Sequence, residues 1–149
     1  MLLYKKTQYG KLVIIILIVV VISILTPFIL QSGNYSIPWF YLASIVLLLL
    51  LVALTFYKLT ITIDHEKIEA KFGVGLLKRS LKIKNINYDS IESIKVPALY
   101  GIGIRLTPHG WLYNVSIGNA IKIKSNNKTF FVGTEDFKTI HSVLLKLKK

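Results

Sequence analysis

The chain has 149 residues, of which 53% are hydrophobic and only 17% are charged, and its formal net charge is +12. Soluble domains usually have a larger charged fraction. We therefore expect much of the chain to lie in lipid. The chain contains no cysteine, which excludes disulfides and thiolate metal sites. The basic excess favours an anionic partner, either nucleic acid or the acidic cytoplasmic leaflet of a membrane.

An uncharged segment, residues 12–30, follows three lysines, Lys5, Lys6 and Lys11. A helix of this length extends about 28 Å, close to the thickness of the hydrocarbon core of a bilayer. The segment therefore predicts a membrane-spanning helix. A cleaved signal peptide is the alternative, but its apolar region is usually shorter, and no A-x-A-like site precedes the polar residues 31–34.

A second apolar segment, residues 39–57, follows a polar connection at residues 31–38. The two segments predict a helical hairpin within residues 1–58, with both chain ends on one side of the membrane. Aromatic residues at the two ends of the second segment, such as Trp39 and Tyr57, suit the membrane interfaces. Lysines flank the outer ends of the hairpin and none lies in the connection, so the positive-inside rule predicts a multi-pass protein of the inner (plasma) membrane with cytoplasmic termini.

The sequence pattern changes near residue 59 from continuously apolar to alternating, which predicts a separate cytoplasmic β-domain over residues 59–149. Three segments between residues 59 and 84 alternate apolar and polar residues, as strands with one buried face do. Residues 86–96 suit either a helical turn or a strand. We predict a turn that leads into a strand ended by Pro97.

Residues 102–124 predict three consecutive strands joined by tight turns. Pro108 and Gly110 supply the turn between the first strand and a second strand that begins near Trp111. A turn at Gly118 leads to a third alternating segment, so we expect an antiparallel meander.

A further strand at residues 129–132 precedes a C-terminal helix. Thr134 is the predicted N-cap of this helix, with Glu135 and Asp136 in the first turn, where acids oppose the positive helix end. Apolar residues at helical spacing then predict an amphipathic helix with one buried stripe. The stripe consists of Phe137, Ile140, Val143, Leu144 and Leu147.

The run GIGIRLTPHGWLYNVSIGNAIKIK at residues 101–124, followed by FFVGTEDFKTIHSVL at residues 130–144, resembles a known family. It is similar to the bacterial pleckstrin-homology-like (PH-like) domain of small two-helix membrane proteins, where a Gly-x-Arg strand, a Thr-Pro-x-Gly turn and a Leu-Tyr-Asn-Val segment recur in this order. Ile117 departs from the pattern, which often has glycine or another small residue there. The resemblance implies an antiparallel β-barrel or sandwich of about seven strands with a C-terminal helix. It implies no catalytic or ligand-binding residue.

No catalytic or metal site is predicted. His65, His109 and His141 are far apart in the sequence, and none has a second ligand at the spacing of a zinc site. The segment Asp64 to Glu66 is a solvated turn in our interpretation, with weak cation binding as the alternative. No nucleophile, base and orienting acid can be assembled from the pattern, so we expect a protein that is not an enzyme and has no cofactor.

The candidate binding feature is positive charge. Residues 58–149 hold 16 of the 19 basic residues and all seven acids, which leaves a net charge of +9. Lys78, Lys82 and Lys84 are predicted to project from one strand face, with Lys71 adjacent on the preceding strand. Beside an anionic leaflet, each lysine near the surface contributes about 1 kcal/mol, which falls away within a Debye length of about 8 Å. The alternative is that these lysines only solubilise the domain.

Arg105 and Trp111 are two further candidates for contact with a lipid or a protein. We expect Arg105 to pair with an acid such as Glu92 or Asp89, or else to be exposed. Trp111 is expected to pack in the core or within its hairpin, with contact to the membrane interface as the alternative.

The expected fold class is thus membrane α+β: a two-helix transmembrane hairpin followed by a PH-like β-domain. The expected function is that of a non-catalytic interaction module that binds a protein partner or forms a homo-oligomer at the membrane. Sensing of an anionic lipid or small ligand through the basic strand face is one alternative, and a role as accessory subunit of a transporter is another. Nucleic acid is not an expected partner, because the strands lack an exposed aromatic row for base stacking.

Overall fold

The computed structural model describes residues 2–29, 38–125 and 128–148. The elements are, in chain order, strand β1 (Leu2–Tyr9), helices α1 (Lys11–Ile29) and α2 (Trp39–Phe56), strands β2 (Lys58–Asp64), β3 (Lys67–Phe72), β4 (Lys78–Lys82), β5 (Glu92–Val96), β6 (Gly103–Thr107), β7 (Gly110–Asn114), β8 (Gly118–Ser125) and β9 (Lys128–Gly133), and helix α3 (Phe137–Lys146). The chain is therefore a mixed α+β protein, with two N-terminal helices, two β-sheets and a C-terminal helix. Most of the predicted polar connection between the first two helices, residues 31–37, lies outside the described residues.

Helices α1 and α2 are built almost entirely of apolar residues, and their limits lie within one residue of those predicted. Their hydroxyl groups bond to the preceding turn: Ser23 Oγ donates to the Val19 carbonyl (2.8 Å) and Thr55 Oγ1 to the Leu51 carbonyl (2.8 Å). Among the described helices, α2 alone is long and apolar enough to cross a membrane, and α1 is apolar over Lys11–Thr26. No residue of α2 is fully buried, and most of its aliphatic side chains are exposed.

Strand β1 departs from the prediction, which gives the residues before position 12 only as the basic flank of the hairpin. β1 pairs antiparallel with β2 along its length. Its face toward the core is polar: the Tyr4 hydroxyl donates to Asp136 Oδ2 (2.7 Å), and Gln8 Nε2 donates to the Gly133 carbonyl (2.9 Å). Because these inward residues are not aliphatic, β1 lacks the alternation that identifies a half-buried strand.

Strands β1 to β4 form an antiparallel sheet, sheet A, in that order. The inner face of sheet A comes from alternate residues of β2 and β3, as the alternation predicts. These residues are all buried: Leu59, Ile61, Ile63, Ile68, Ala70 and Phe72. Since residues directly opposite in an antiparallel pair share a face, the polar residues between them line the outer face of the sheet.

The other five strands form sheet B, in the order β5-β8-β9-β7-β6. The predicted turn and strand at residues 86–96 are confirmed, since a 3₁₀ turn at Tyr88–Ser90 leads into β5. The predicted hairpin of β6 and β7 is also present, with Thr107 opposite Gly110. The expected three-stranded meander is wrong, because β9 lies between β7 and β8 and runs parallel to β7. Sheet B is therefore mixed, and only sheet A is wholly antiparallel.

The main core lies between the two sheets and under α3. Ile140 and Leu144 of α3 are fully buried in it, together with Phe130 and Val132 of β9. Burial of a large aliphatic or aromatic side chain contributes about 1.5–3 kcal/mol relative to exposure, so α3 is firmly attached. A second, smaller cluster lies on the opposite face of sheet B. It consists of Val96, Leu112, Ala120 and Phe131.

Helix α3 begins later than predicted, at Phe137, and Asp136 rather than Thr134 occupies the N-cap position. The Asp136 amide donates to Thr134 Oγ1 (3.1 Å), and Thr139 Oγ1 donates to Asp136 Oδ1 (2.6 Å). Thr134 thus closes the turn before the helix. The acids therefore precede the first turn instead of lying inside it, still on the side of the positive helix end.

Candidate functional site

Both helices leave sheet A from one end of two neighbouring strands. Tyr9 at the end of β1 lies opposite Lys58 at the start of β2. The Gly10 amide donates to the Tyr57 carbonyl (2.9 Å). A Cβ at Gly10 would lie 2.9 Å from the Phe56 carbonyl oxygen, so a side chain there would push helix and strand apart. We call residues 9–11 and 56–58 the junction; it joins helices and sheet without a linker.

The loop between β3 and β4, residues 73–77, packs on the last turn of α2. The Val74 amide donates to the Leu54 carbonyl (3.3 Å). Gly73 has a φ of 46°, and a Cβ there would overlap the Leu54 carbonyl oxygen, so only glycine suits this close approach. Val74 and Leu76 are 61% and 70% exposed. Two large apolar side chains therefore project beside the end of an apolar helix.

The structure divides the predicted basic residues of the outer face of sheet A into two groups. Lys71 lies directly opposite Lys78, next to the β3–β4 loop, whereas Lys82 lies opposite Lys67 at the other end of the strands. At about 3.3 Å per residue, roughly 13 Å of strand separates Lys78 from Lys82. Lys84 lies beyond β4, in a 3₁₀ turn. Lys78 and Lys82 thus share the outer face of β4, as predicted, whereas Lys84 lies outside the strand, which corrects the expectation for that residue.

Glu69 neutralises part of this charge. Its carboxylate accepts from Lys67 Nζ (2.9 Å) and from Lys71 Nζ (2.8 Å), and the residue is only 5% exposed. Burial by itself would raise the pKa of Glu69, but the hydrogen bonds from Lys71 and Lys67 outweigh burial and hold the pKa below its ordinary value. Among the described residues, neither Lys78 nor Lys82 lies within 4.0 Å of an acid. Lys78 is thus the uncompensated charge beside the loop.

A cavity of about 370 Å³ lies at the end of sheet A farthest from the junction. Its lining is His65, Glu66, Lys67, Lys82 and Lys84. The ammonium groups suit an anion, but Glu66 opposes one. Lys82 and Lys84 thus line a cavity at the opposite end of the sheet from the Lys71 and Lys78 pair.

Arg105 lies on sheet B, apart from the lysines. With Val13 of α1 and Phe56 of α2 it lines a cleft of about 310 Å³ beside the junction. The rest of the lining comes from the start of β6, residues 102–104. Arg105 thus faces a space between the base of the helices and the edge of sheet B.

The expected ion pair of Arg105 with Glu92 or Asp89 is not formed. Glu92 instead accepts from Lys122 Nζ (2.8 Å), and this hydrogen bond holds the pKa of Glu92 below its ordinary value. No acid in the described part of the chain lies within 4.0 Å of Arg105. The reason is topological: Glu92 is on β5 and Arg105 on β6, the two opposite edges of sheet B.

Trp111 lies directly opposite Leu106 in the β6–β7 hairpin. Trp111 is 50% exposed and Leu106 is 71% exposed, so of the two expected positions, core or hairpin, Trp111 takes the one in the hairpin. Tyr113, two residues on, packs against the core. β6 is an edge strand, and its outer side has no partner strand among the described residues. We call these two side chains the Leu106/Trp111 patch; apolar residues on a free edge favour contact with another chain.

The three histidines are distributed as the sequence suggests. His109 lies edge-on to Phe131, with 6.2 Å between ring centroids, and His141 stacks on Phe137 at 5.4 Å. Within residues 2–29, 38–125 and 128–148, no group of three His, Asp or Glu side chains is placed to hold a metal ion. The features with a clear chemical preference are thus surfaces: lysines, an apolar loop and an apolar patch.

Sequence reasoning missed the apolar β3–β4 loop, although its signal is present. Val74 and Leu76 alternate with Gly73 and Gly75. The two glycines by themselves predict an ordinary turn. Large apolar residues in a turn are unusual because loops normally face water. The hydrogen bond to the Leu54 carbonyl shows that this loop lies beside the apolar helix α2.

These surfaces have to be interpreted from their own geometry, charge and exposure. Comparison of the chain with protein-family models, with curated proteins and with solved structures found no match.

Proposed function

We propose that the chain is a non-catalytic, membrane-anchored interaction module of the inner (plasma) membrane. In this proposal α1 and α2 cross the bilayer as a hairpin, both chain ends are cytoplasmic and the β-domain has a PH-like organisation. The aliphatic surface of α2, the two sheets around one core and the packing of Ile140 and Leu144 support it. The parallel pairing of β7 with β9 departs from the all-antiparallel arrangement that the resemblance implies.

The observation that carries the proposal is the insertion of both helices between two hydrogen-bonded strands. Gly10 alone separates β1 from α1, and Tyr57 alone separates α2 from β2. The Gly10 amide donates a hydrogen bond to the Tyr57 carbonyl. A β-domain joined in this way keeps one orientation relative to the helices. When the helices span a bilayer, the same surfaces of the domain always face the membrane and the cytoplasm, which suits a module that presents a fixed face to a partner.

The Leu106/Trp111 patch is the surface that suits a protein partner or a second copy of the chain. It combines two exposed apolar side chains with the free backbone groups of edge strand β6. A partner strand could pair with these groups while its side chains cover the patch. Arg105 precedes Leu106 on β6, so its side chain lies on the other face of the strand and lines the cleft beside the junction.

Site-specific photo-crosslinking in intact cells tests the proposal. A photoreactive residue at Leu106 in the full chain is expected to give a discrete adduct in the membrane fraction, whereas the same residue at the exposed Ser80 on sheet A is the matched control. An adduct of twice the chain mass indicates self-assembly, and any other discrete mass indicates a different protein. The absence of a discrete adduct at Leu106, or recovery of the chain in the soluble fraction, would contradict the proposal.

Contact with anionic lipid through the basic face is a second candidate function. The observation that favours it is the pairing of Lys71 with Lys78 at the end of sheet A nearest the helices. Of the two groups of lysines on sheet A, this one lies nearer the proposed bilayer, where charges act within a Debye length of about 8 Å. Lipid contact is expected to depend on salt and on anionic lipid, whereas the protein contact at Leu106 is not.

A further inference from the structure

We propose that the β3–β4 loop is a second membrane contact, in which Val74 and Leu76 insert into the interfacial layer of an anionic bilayer and Lys71 and Lys78 bind its headgroup phosphates. The inference rests on the proposed function in one respect, that α1 and α2 span the bilayer. It deepens the second candidate function, contact with anionic lipid, by adding the apolar loop that inserts and the depth at which it lies.

The position of the loop follows from its backbone contacts with α2. The Val74 amide bonds to the Leu54 carbonyl, and Leu54 lies in the last turn of a helix that ends at Phe56. The Gly73 amide bonds to the Lys58 carbonyl (2.8 Å), which fixes the other side of the turn. A loop held at the level of the last helical turn lies where the hydrocarbon core meets the headgroups whenever that helix spans the bilayer.

The exposed side chains of the loop suit this depth. The hydrogen bond between the loop and α2 joins two backbone groups, and the side chains of Val74 and Leu76 are exposed. In water these two side chains lose the benefit of burial, whereas in the interfacial layer they regain part of it. The exposed apolar side chains of the loop lie next to an apolar helix. Lipid is therefore the favoured contact for this surface.

Charge identifies the kind of bilayer. Lys71 and Lys78 stand at the two ends of the loop, opposite each other, and Lys58 lies at the junction. Lysine stems cover apolar surface while their ammonium groups reach toward phosphate, so such lysines suit the headgroup layer. Glu69 bonds Lys71 but leaves Lys78 uncompensated among the described residues. The local charge is thus positive and selects anionic headgroups.

The absence of cysteine allows a direct test of depth. Single-cysteine variants of the full chain, Leu76→Cys, Leu48→Cys and His65→Cys, are labelled with a nitroxide in nanodiscs of anionic lipid. Collision rates with oxygen and with a water-soluble nickel complex then report depth. Leu48 lies in the middle of α2 and is the reference for the hydrocarbon core, whereas His65 lies at the far end of sheet A and is the reference for water.

The expected result is an oxygen-to-nickel ratio at Leu76→Cys that lies clearly above that at His65→Cys and below that at Leu48→Cys. A ratio at position 76 equal to that at His65→Cys, with Leu48→Cys still deep, overturns the loop contact and leaves the membrane anchor intact. A water-like ratio at Leu48→Cys overturns the membrane anchor and the loop contact together. Val74→Cys repeats the test within the same loop.

The charge part of the inference has a matched control in the chain. Lys71→Glu with Lys78→Glu, placed in the Leu76→Cys chain, is expected to shift the ratio toward that of the water reference, as is a change to neutral lipid. Lys82→Glu with Lys84→Glu makes the same change in net charge at the far end of sheet A and is expected to leave the ratio unchanged. Equal effects of the two pairs would overturn the assignment of Lys71 and Lys78.

Discussion

Strand β1 is joined to α3 by one hydrogen bond that a single substitution can remove. The Tyr4 hydroxyl donates to Asp136 Oδ2 at 2.7 Å, across 132 residues of sequence, and the ring of Tyr4 packs against the main core. Tyr4→Phe removes the hydroxyl and keeps the ring. The substitution therefore isolates the hydrogen bond from the packing of the aromatic ring.

The expected loss can be estimated from the geometry of this bond. A hydrogen bond to a charged group contributes about 1.5–3 kcal/mol to stability. The Asp136 side chain is 26% exposed, so solvent screening favours the lower end of that range, about 1.5 kcal/mol. Since about 1.4 kcal/mol corresponds to a factor of ten, the amide groups of β1 are expected to exchange their hydrogens about tenfold faster in Tyr4→Phe.

The contribution of this hydrogen bond depends on pH, because its acceptor is the Asp136 carboxylate. Hydrogen bonds from Thr139 and Tyr4 hold the pKa of Asp136 below its ordinary value. A carboxyl group with a lowered pKa stabilises the fold above its unfolded-state pKa of about 3.9, and the contribution is lost as the pH falls through the folded-state value. The difference between Tyr4→Phe and the unchanged chain is therefore expected at pH 7 and is expected to shrink in strong acid.

Hydrogen exchange measured by mass spectrometry on the full chain in detergent micelles gives the result for β1 directly. The control is Asp136→Asn, alone and combined with Tyr4→Phe, because asparagine still suits an N-cap. We expect the two single substitutions to cost more in sum than the double variant. Additive losses, or an undiminished Tyr4→Phe effect in strong acid, would show that the hydrogen bond between Tyr4 and Asp136 does not stabilise β1.

Two further predictions concern the loop and the core, and both can be measured by denaturant unfolding of the full chain in micelles. Gly73→Ala is expected to cost more than Gly75→Ala, since both add backbone strain of about 1–3 kcal/mol but only a Cβ at Gly73 overlaps the Leu54 carbonyl; equal losses would refute the close contact with α2. Leu144→Ala is expected to cost about 2–5 kcal/mol, whereas Leu145→Ala, the same change at the exposed neighbouring position, is expected to cost less than about 1 kcal/mol.

Local patterns predict the parts of the fold that local physics decides. Continuous apolar residues mark α1 and α2, and alternation marks β2 and β3, because burial of a face repeats with the period of the element. The turn between β6 and β7 follows from Pro108 and Gly110, whose backbone preferences act within the turn itself. None of these features needs information from a distant part of the chain.

The parts that were missed depend on distant partners. The polar inward face of β1 has a partner in Asp136, far along the chain, and no pattern within β1 identifies it. Alternation of apolar and polar residues predicts which face of a strand is buried, but it does not predict which strands are neighbours. The parallel pairing of β7 with β9 therefore cannot be predicted from it. The same holds for Arg105, whose expected partner Glu92 lies on the opposite edge of sheet B.

The candidate surfaces show the same division. Alternation predicts that Lys71 and Lys78 lie near each other, and the register places them directly opposite. The extent of the group was not predictable, because the end of β4 at Lys82 and the turn that carries Lys84 depend on how residues 83–86 pack. The exposure of Val74 and Leu76 could not be predicted without knowing where the loop lies on α2.

The helices are inserted between β1 and β2, so the β-domain includes the residues of β1 that precede the helices. A fragment that begins after residue 58 would lack β1 and would leave the backbone groups of β2 unpaired on one side. It would also lose the Leu54 carbonyl on which the β3–β4 loop rests. The helices and the sheet therefore stabilise each other at the junction, and a surface at that junction keeps its native geometry only in the full chain. An isolated β-domain that bound no anionic vesicle would accordingly leave the loop contact of the intact protein standing, whereas the depth of a label at position 76 in the full chain decides it.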